Sequence, residues 1–184
     1  MIARLPLRLL GLLSGLLLAV SALAAPAHIE MEIPAARLSG EGTFRWFGLH
    51  IYDAQLWVGK RGYDAAQPEA APLALDLQYA RALNGRKIAE SSRDQLDKLQ
   101  IGSAQQRAEW LEKMAALFPD VQAGTHITGV FLPGLGARFY LDGKRLGEIA
   151  DPAFARGFFA IWLDPKTTAP HLRKALLPDA PARQ

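Results

Sequence analysis

Residues 73–99 read LALDLQYARALNGRKIAESSRDQLDKL, a strand pattern followed at once by a helix pattern. In the first seven residues, leucines and a tyrosine alternate with alanines and polar residues, which is the two-residue period of a strand. Asn84 then stands where an N-cap belongs, because its side-chain oxygen can accept from the free amides of a helix that reaches about Leu99. Ile88 and Leu96 belong to the apolar stripe of that helix. The stretch therefore predicts a strand and an amphipathic helix in close succession.

Aromatic and aliphatic residues, interrupted by three glycines, fill the segment before this stretch. We predict extended chain over residues 36–58. In its second half, the apolar residues from Tyr52 onward share one parity and Asp53 takes the other, which predicts a strand with one buried and one solvated face. A loop with two prolines over residues 59–72 then leads to the strand that begins at Leu73.

The sequence after residue 99 predicts three more helices and three more strands. Apolar spacing predicts a helix over 104–118. Strands over 126–132, 137–141 and 145–149 follow, with a tight hairpin at Asp142-Gly143 between the last two. A helix capped by Asp151-Pro152 and a short last helix around 172–177 complete the order. Runs of strands and runs of helices are segregated, which is typical of the α+β class.

The first 24 residues have the pattern of a signal peptide. Arg4 and Arg8 precede an apolar run over residues 9–20, and Ala22-Leu23-Ala24 provides small residues at a cleavage site after Ala24. We therefore expect a signal peptide over 1–24, one domain over 25–177, a flexible tail over 178–184, and a periplasmic location. The alternative is an uncleaved membrane anchor, although the apolar run is short for a span.

Charge and composition exclude several classes of function. Residues 1–24 contain two arginines and no acid, so their removal leaves 19 basic and 18 acidic residues and lowers the formal charge from +3 to +1. A near-neutral domain gives no electrostatic reason to expect a nucleic-acid partner, and we expect no stable membrane span after cleavage. The chain has no cysteine, which excludes disulfides, thiolate metal sites and a cysteine nucleophile.

No catalytic or cofactor motif is evident in the chain. The four histidines, His28, His50, His126 and His171, lack the close spacing of metal ligands. Phosphate-binding, dinucleotide-binding and nucleophile-elbow motifs are missing from the sequence. We therefore predict no metal site, no cofactor and no catalytic residue from these patterns alone.

The mature chain nevertheless resembles a known family over some 140 residues. The matching pieces, in family order, are LSGEGTFR (38–45), IYDAQLWV (51–58), LQYAR (77–81), Asp142-Gly143 with Gly147, Asp151 with Phe154, Ala155 and Phe158, IWL (161–163), and LRKALL (172–177). In this order the pieces resemble the chalcone isomerase-like family, in its bacterial exported branch.

The resemblance implies an open-faced β-sandwich of the chalcone isomerase type, an antiparallel sheet with helices packed on one face and a cleft between the layers. True chalcone isomerases close a flavanone ring in this cleft, and related members bind fatty acids there. In both groups an arginine near the glycine-rich segment and a hydroxyl residue on the next strand meet the polar end of the ligand. By position these residues are Arg45 and Tyr52. We add Tyr79 and Arg81 as ligand-binding candidates, because both share the parity of the buried leucines.

Departures from the isomerase pattern predict a binding protein without catalytic activity. Lys87 and Asp94 stand where true isomerases carry a tyrosine and an asparagine on the first long helix, and Tyr52 replaces their strand threonine. Our leading hypothesis is an exported protein that binds a small apolar acid, such as a fatty acid, in the cleft. The alternatives are an isomerase or lyase acting on an enone or phenolic compound, and an envelope scaffold whose cleft is filled by its own side chains.

A shared site for Arg45 and Tyr52 has a geometric condition. The two residues are seven apart, so on one regular strand their side chains would project from opposite faces. Glycine tolerates the backbone of a bulge or bend, and Gly48 lies between them. We therefore predict a bulge or kink within residues 46–50 that turns both polar groups into one cleft.

Overall fold

Within residues 24–178, six antiparallel strands form one sheet in which each strand pairs with its neighbours in sequence. The computed structural model describes residues 24–178, so the predicted signal peptide up to residue 23 and the predicted tail from residue 179 lie outside this range. The elements are α1 (Ala27–Glu32), β1 (Arg37–Trp46), β2 (Leu49–Val58), β3 (Leu73–Tyr79), α2 (Gly85–Lys98), α3 (Ala104–Leu117), β4 (His126–Leu132), β5 (Gly136–Leu141), β6 (Lys144–Ile149), α4 (Pro152–Leu163) and α5 (Pro170–Leu176).

Helices α2 to α5 cover one face of the sheet, as the α+β open-faced architecture predicts. Helix α4 packs on β4 and β5, α5 packs on β1, and α2 and α3 pack on each other and on α4 and β6. The main core lies between these helices and the sheet, and it includes Leu75, Phe139, Phe154 and Trp162. No helix among residues 24–178 is long and apolar enough to cross a membrane.

Local signals at three turns and caps are confirmed. The Asn84 side chain accepts a hydrogen bond from the amide of Lys87 at the start of α2. Asp151 accepts from the first free amides of α4 and also from the indole N–H of Trp110, at 2.9 Å. At Asp142-Gly143 both residues have positive φ, 47° and 78°, which is the backbone of a type I′ turn between β5 and β6.

The predicted bulge within residues 46–50 is wrong, because the chain reverses there completely. Trp46 pairs with Leu49, and Phe47 and Gly48 form a two-residue turn with φ of 46° and 79°. The extended segment over 36–58 is therefore two strands of a hairpin and not one strand with a kink. Asparagine or aspartate normally precedes glycine in such a turn, and a phenylalanine in that position gave no turn signal in the sequence.

A short helix on the opposite face of the sheet escaped the sequence patterns. Ile29 and Ile33, from α1 and the residue after it, pack with Trp57, Val130 and Tyr140 in a second apolar cluster. The strands are consequently buried on both faces near their centres, and the prediction of a solvated second face is wrong there. At six residues, α1 is too short to show a helical period, so only the contacts with the sheet reveal it.

Two glycines of β1 allow α5 to approach the sheet closely. A Cβ atom at Gly40 would lie 2.2 Å from the carbonyl oxygen of Ala175, and one at Gly42 would lie 2.8 Å from the Ala175 Cβ. The hydroxyl of Ser39 donates to the carbonyl oxygen of Leu176 at 3.1 Å, which secures the same contact. The glycine-rich segment is therefore a seat for the last helix.

Candidate functional site

Tyr52 and Tyr79, two of the residues predicted to bind ligand, lie side by side on the helix-covered face of the sheet. They are paired across β2 and β3, and their ring centroids are 6.0 Å apart. The indole N–H of Trp162 in α4 donates to the Tyr52 hydroxyl at 3.0 Å, and the Phe44 ring stacks on Tyr52 at 5.0 Å. The space beside Tyr52 is thus occupied by aromatic side chains of the protein itself.

Burial keeps both tyrosines protonated. Desolvation raises the pKa of Tyr52 far above its ordinary value, and the hydrogen bond from Trp162 opposes this only in part. Desolvation likewise raises the pKa of Tyr79, and the neighbouring Tyr52 raises it further. The two phenols therefore act as neutral hydrogen-bonding groups and not as bases.

Arg45 and Arg81 lie apart from this aromatic cluster. Arg45 is exposed and pairs with His50 across the hairpin. Phe44, and not Arg45, pairs with Tyr52, and the register between β1 and β2 shifts between Phe44 and Arg45. The expected opening of the Arg45 and Tyr52 polar groups into one cleft is therefore not formed, because the hairpin brings Phe44 and not Arg45 over Tyr52. Arg81 is exposed just beyond the end of β3.

Lys87 and Asp94 lie on the solvent side of α2. The Lys87 ammonium pairs with Glu90 at 2.8 Å, and Asp94 pairs with Arg93 at 2.8 Å. Their side chains are 75% and 56% exposed, so neither points into the layer between helix and sheet.

An open cavity of about 270 Å³ lies between the sheet and α4, near the start of β3. Its floor is apolar and comes from two strands and α4, and its rim comes from the β2–β3 loop, the residues just after α4 and Arg173 in the last turn of α5. The lining residues are Tyr63, Ala65, Pro68, Glu69, Leu73, Phe131, Arg156, Phe159, Ala160, Leu163, Asp164, Pro165 and Arg173. A concave apolar site with a few polar groups at its edge is the usual form of a small-molecule site, and this volume is just below the usual range of about 300–1,000 Å³.

Arg173 supplies the most open donor group of the cavity. Its Nε donates to the carbonyl oxygen of Leu163 at 2.7 Å, which fixes the guanidinium between α5 and the end of α4. Within residues 24–178, its two terminal nitrogens have no hydrogen-bond or ion-pair partner. A guanidinium held in this way offers a planar pair of N–H donors, the geometry that matches a carboxylate.

Tyr63 adds a neutral donor on the same rim. Burial raises the pKa of its phenol above the ordinary value. The Arg173 charge lowers the pKa, whereas the carboxylates of Asp164 and Asp64 raise it further. The phenol therefore stays protonated at neutral pH and can donate a hydrogen bond. Tyr63 and Arg173 thus bring a phenol and an arginine to one rim, the two types of group that the family resemblance implies at Tyr52 and Arg45.

The carboxylates of the rim are already partnered. Glu69 pairs with Arg156 at 3.4 Å across the mouth of the cavity. Asp164 accepts from the amide of Lys166 at 2.6 Å. An anionic ligand at Arg173 would thus meet carboxylates whose charge is partly compensated.

Sequence reasoning missed these cavity residues for identifiable reasons. Tyr63 lies in a loop without periodicity, and its position over the cavity depends on how residues 59–72 fold back on the sheet. Arg173 stands in the matching piece LRKALL, so the available signal was an arginine among the leucines of a short helix. Only the packing of α5 against α4 distinguishes it from the neighbouring Lys174.

A second polar cluster lies on the other face, beneath α1. The buried carboxylate of Asp76 accepts from the Thr128 hydroxyl at 2.6 Å and bonds the His126 ring at 2.7 Å. Because the Thr128 proton goes to Asp76, its oxygen accepts from Nε2 of His28, at 2.9 Å. Across residues 24–178, no group of three or more histidines and carboxylates has a metal-binding arrangement.

Known proteins share this fold and parts of this sequence. The crystal structure of an Arabidopsis thaliana fatty-acid binding protein matches with a TM-score of 0.61 and 14% identity, covering 78% of this chain and 87% of that protein. An uncharacterized protein of Haemophilus influenzae is 28% identical over 138 residues, which are 75% of this chain and 66% of the relative, just under two thirds of its length. The family model described as chalcone isomerase-like matches residues 19–178. Sheet, helices and family model agree, and the chain belongs to the chalcone isomerase-like family.

Proposed function

We propose that the chain is a non-catalytic binding protein that holds a small apolar acid, such as a fatty acid, in the cavity between the sheet and α4. The observation that carries the proposal is the Arg173 guanidinium, anchored through Nε and open at both terminal nitrogens above an apolar floor. A carboxylate would accept from those nitrogens and from the Tyr63 hydroxyl. The hydrocarbon part would lie against Leu73, Phe131 and Phe159.

The physical balance favours an amphipathic ligand over a purely polar one. Each apolar group that leaves water for the floor contributes about 25 cal/mol per Å² of buried surface. The charge-assisted hydrogen bonds at Arg173 fix the orientation of the polar end. The fatty-acid binding protein of Arabidopsis thaliana, which has the same fold, supports this class of ligand.

The four residues named from the sequence have separate places in this proposal. Tyr52 and Tyr79 support the site indirectly, because the Tyr52 hydroxyl holds Trp162, the residue before Leu163 of the cavity wall. Arg45 and Arg81 lie toward the other end of the sheet, outside the lining of this cavity.

The positions of Lys87 and Asp94 favour binding over catalysis. Ring closure of the isomerase type needs a positioned acid or base and a group that stabilises the developing anion. The two side chains that replace the isomerase helix residues are exposed and paired on the surface of α2. The isomerase alternative therefore lacks support from these residues. The open cavity argues against the other alternative, an envelope scaffold whose cleft is filled by its own side chains.

Export to the periplasm is part of the same proposal. Its support is the basic, apolar and small-residue pattern of residues 1–24. N-terminal sequencing of the protein from a periplasmic extract should begin at Ala25. Recovery of Met1 from a membrane pellet would overturn export with cleavage and favour an anchor.

The test of the binding proposal is native mass spectrometry of the purified protein, alone and after incubation with straight-chain carboxylic acids of increasing length. We expect a one-to-one adduct that is lost in Ala160→Phe, because the larger side chain would fill the cavity from α4. Ala108→Phe, the same change on the exposed face of α3, is the matched control and should keep the adduct. No adduct with any acid, or an adduct that survives in Ala160→Phe, would overturn the proposal.

A further inference from the structure

Three large apolar side chains are exposed together at the turn between β1 and β2. Trp46, Phe47 and Leu49 are 60%, 88% and 52% exposed, and residues 24–178 contain only two other large hydrophobic residues with comparable exposure. The Trp46 and Phe47 rings contact each other edge to face at 5.0 Å. A Cβ atom at Gly48 would meet no atom within 4 Å, so the turn protrudes from the protein. We call residues 46–49 the hairpin tip.

Phe47 stands at the tip against the preference of the backbone. Its φ of 46° is left-handed, where a bulky side chain is an outlier. The same type of turn at Asp142-Gly143 carries an aspartate, a residue that tolerates this backbone, and Asp142 also bonds the amide of His126. The turn itself therefore does not require a phenylalanine, and no core contact does so either, because the side chain is 88% exposed.

Two exposed arginines flank the base of the hairpin tip. Arg45 pairs with His50, and the amide of Ala80 donates to the carbonyl oxygen of Ile51, so Arg81 follows at nearly the same level of the sheet. The nearest carboxylate on β2, Asp53, already bonds Thr43 and His50. The tip thus combines apolar side chains at its apex with positive charge about two residues below.

We propose that the hairpin tip docks on the surface of an anionic lipid bilayer. Trp46 and Phe47 enter the boundary between headgroups and acyl chains, where aromatic side chains are enriched in membrane proteins. Arg45 and Arg81 then lie at the level of the phosphates and bond them. Attraction to anionic headgroups adds about thirtyfold to binding for two such arginines.

The shape of the tip favours a bilayer over a protein partner. A stable protein interface uses roughly 20–30 residues a side, and a protruding two-residue turn with two neighbours presents far fewer. A bilayer needs no complementary surface, since the turn can insert between lipids. The proposal goes beyond the binding of a free acid in the cavity and does not depend on it.

Tryptophan fluorescence tests the proposal at the tip itself. Of the four tryptophans, Trp57, Trp110 and Trp162 are buried, so only Trp46 is open to contact with lipid. The full chain is mixed with vesicles of phosphatidylcholine and phosphatidylglycerol whose acyl chains carry bromine, a quencher. We expect a blue shift and strong quenching, both lost in Trp46→Phe. Every variant carries the same residues 1–24, so any lipid binding by that apolar run is common to all.

Two further variants separate lipid docking from a role in folding. Phe47→Asn suits the left-handed turn, so we expect unchanged or higher stability but about tenfold weaker vesicle partition, from the loss of one buried aromatic side chain. The double variant Arg45→Gln with Arg81→Gln should lose about thirtyfold on anionic vesicles and little on pure phosphatidylcholine. Unquenched Trp46 emission in the wild type would overturn the proposal. So would a blue shift that depends on protein concentration without vesicles, which would indicate a second copy at the tip.

Discussion

Arg173 is fixed at one end by the fold and open at the other. Its Nε donates to a backbone carbonyl at the end of α4, its terminal nitrogens have no hydrogen-bond or ion-pair partner within residues 24–178, and the side chain lines the cavity together with Tyr63. By contrast, the family resemblance implies a ligand-binding role for Arg45 from its place beside the glycine-rich segment. The structure places Arg45 at an exposed position of a hairpin. The position of an arginine in a motif does not predict where its side chain points, because that direction depends on how the chain turns at Gly48.

At the residue scale, Tyr63→Phe should weaken acid binding without loss of stability. The change removes one hydroxyl from the rim and leaves the ring in place, so the expected loss is that of one hydrogen bond, about 1 kcal/mol or roughly fivefold in Kd. Titration calorimetry with a straight-chain acid measures it. An affinity equal to that of the wild type would remove Tyr63 from the site.

His28 should make the docking of α1 sensitive to acid. Burial lowers the pKa of His28 below its ordinary value of about 6.5, the charge of Asp76 opposes this, and nearby His126 lowers the pKa further. Tyr140, at 5.1 Å, is the other titratable side chain against the ring. The unfolded chain therefore binds more protons than the folded chain as pH falls below 6.5. The stability contributed by neutral His28 is fully present above pH 6.5, and it is lost as pH falls from 6.5 through the lowered pKa.

Denaturant unfolding at a series of pH values checks this prediction. The wild type should lose stability between neutral and mildly acidic pH, and His28→Gln should show a shallower dependence while keeping a donor for Thr128. His171→Gln, at an exposed position, is the control and should follow the wild type. Identical slopes for the wild type and His28→Gln would contradict the assignment.

At the scale of elements, the sequence predicted what local chemistry determines. At the caps Asn84 and Asp151, the side chain accepts hydrogen bonds from backbone amides a few residues away. At Asp142-Gly143, both residues tolerate the positive φ that the turn requires. Helix α1 and the turn at Phe47-Gly48 depend on distant contacts or run against local preference, so no short pattern could reveal them. The cavity belongs to the second kind, because four separate elements and a loop form it.

Gly40→Ala should strongly destabilise the seat of α5. The new Cβ would lie 2.2 Å from a backbone oxygen of that helix, so α5 must shift as a whole, at a cost of about 2 kcal/mol or more. Gly147→Ala is the matched control on another strand. Its Cβ would meet only the end of the Leu117 side chain, which can rotate away, and we expect a cost below about 1 kcal/mol.

Equilibrium unfolding in urea measures both changes. We also expect Gly40→Ala to weaken acid binding, because the shift of α5 moves Arg173. Equal stability of the two alanine variants would contradict the close approach of α5 to β1.

At the scale of the whole molecule, the sheet separates two surfaces with different chemistry. The cavity lies where β2 ends and β3 begins, and the hairpin tip lies where β2 begins, about 30 Å away along the strand. Energetic coupling between residues this far apart is small. The free-energy effects of substitutions at the cavity and at the hairpin tip should therefore be independent. Helix α1 packs on the central strands from the face that the other helices leave open, so the centre of the sheet between the two surfaces is buried on both faces.

The most direct measurement of the central claim is the affinity of the full chain for a straight-chain fatty acid by titration calorimetry, in the wild type and in Arg173→Gln. The wild type should bind one equivalent, and Arg173→Gln should bind ten- to a hundredfold more weakly, because charge-assisted hydrogen bonds contribute about 1.5–3 kcal/mol. Lys174→Gln, the same loss of charge on the next residue, should match the wild type. No saturable binding by the wild type, or a loss confined to Arg45→Gln, would contradict the account.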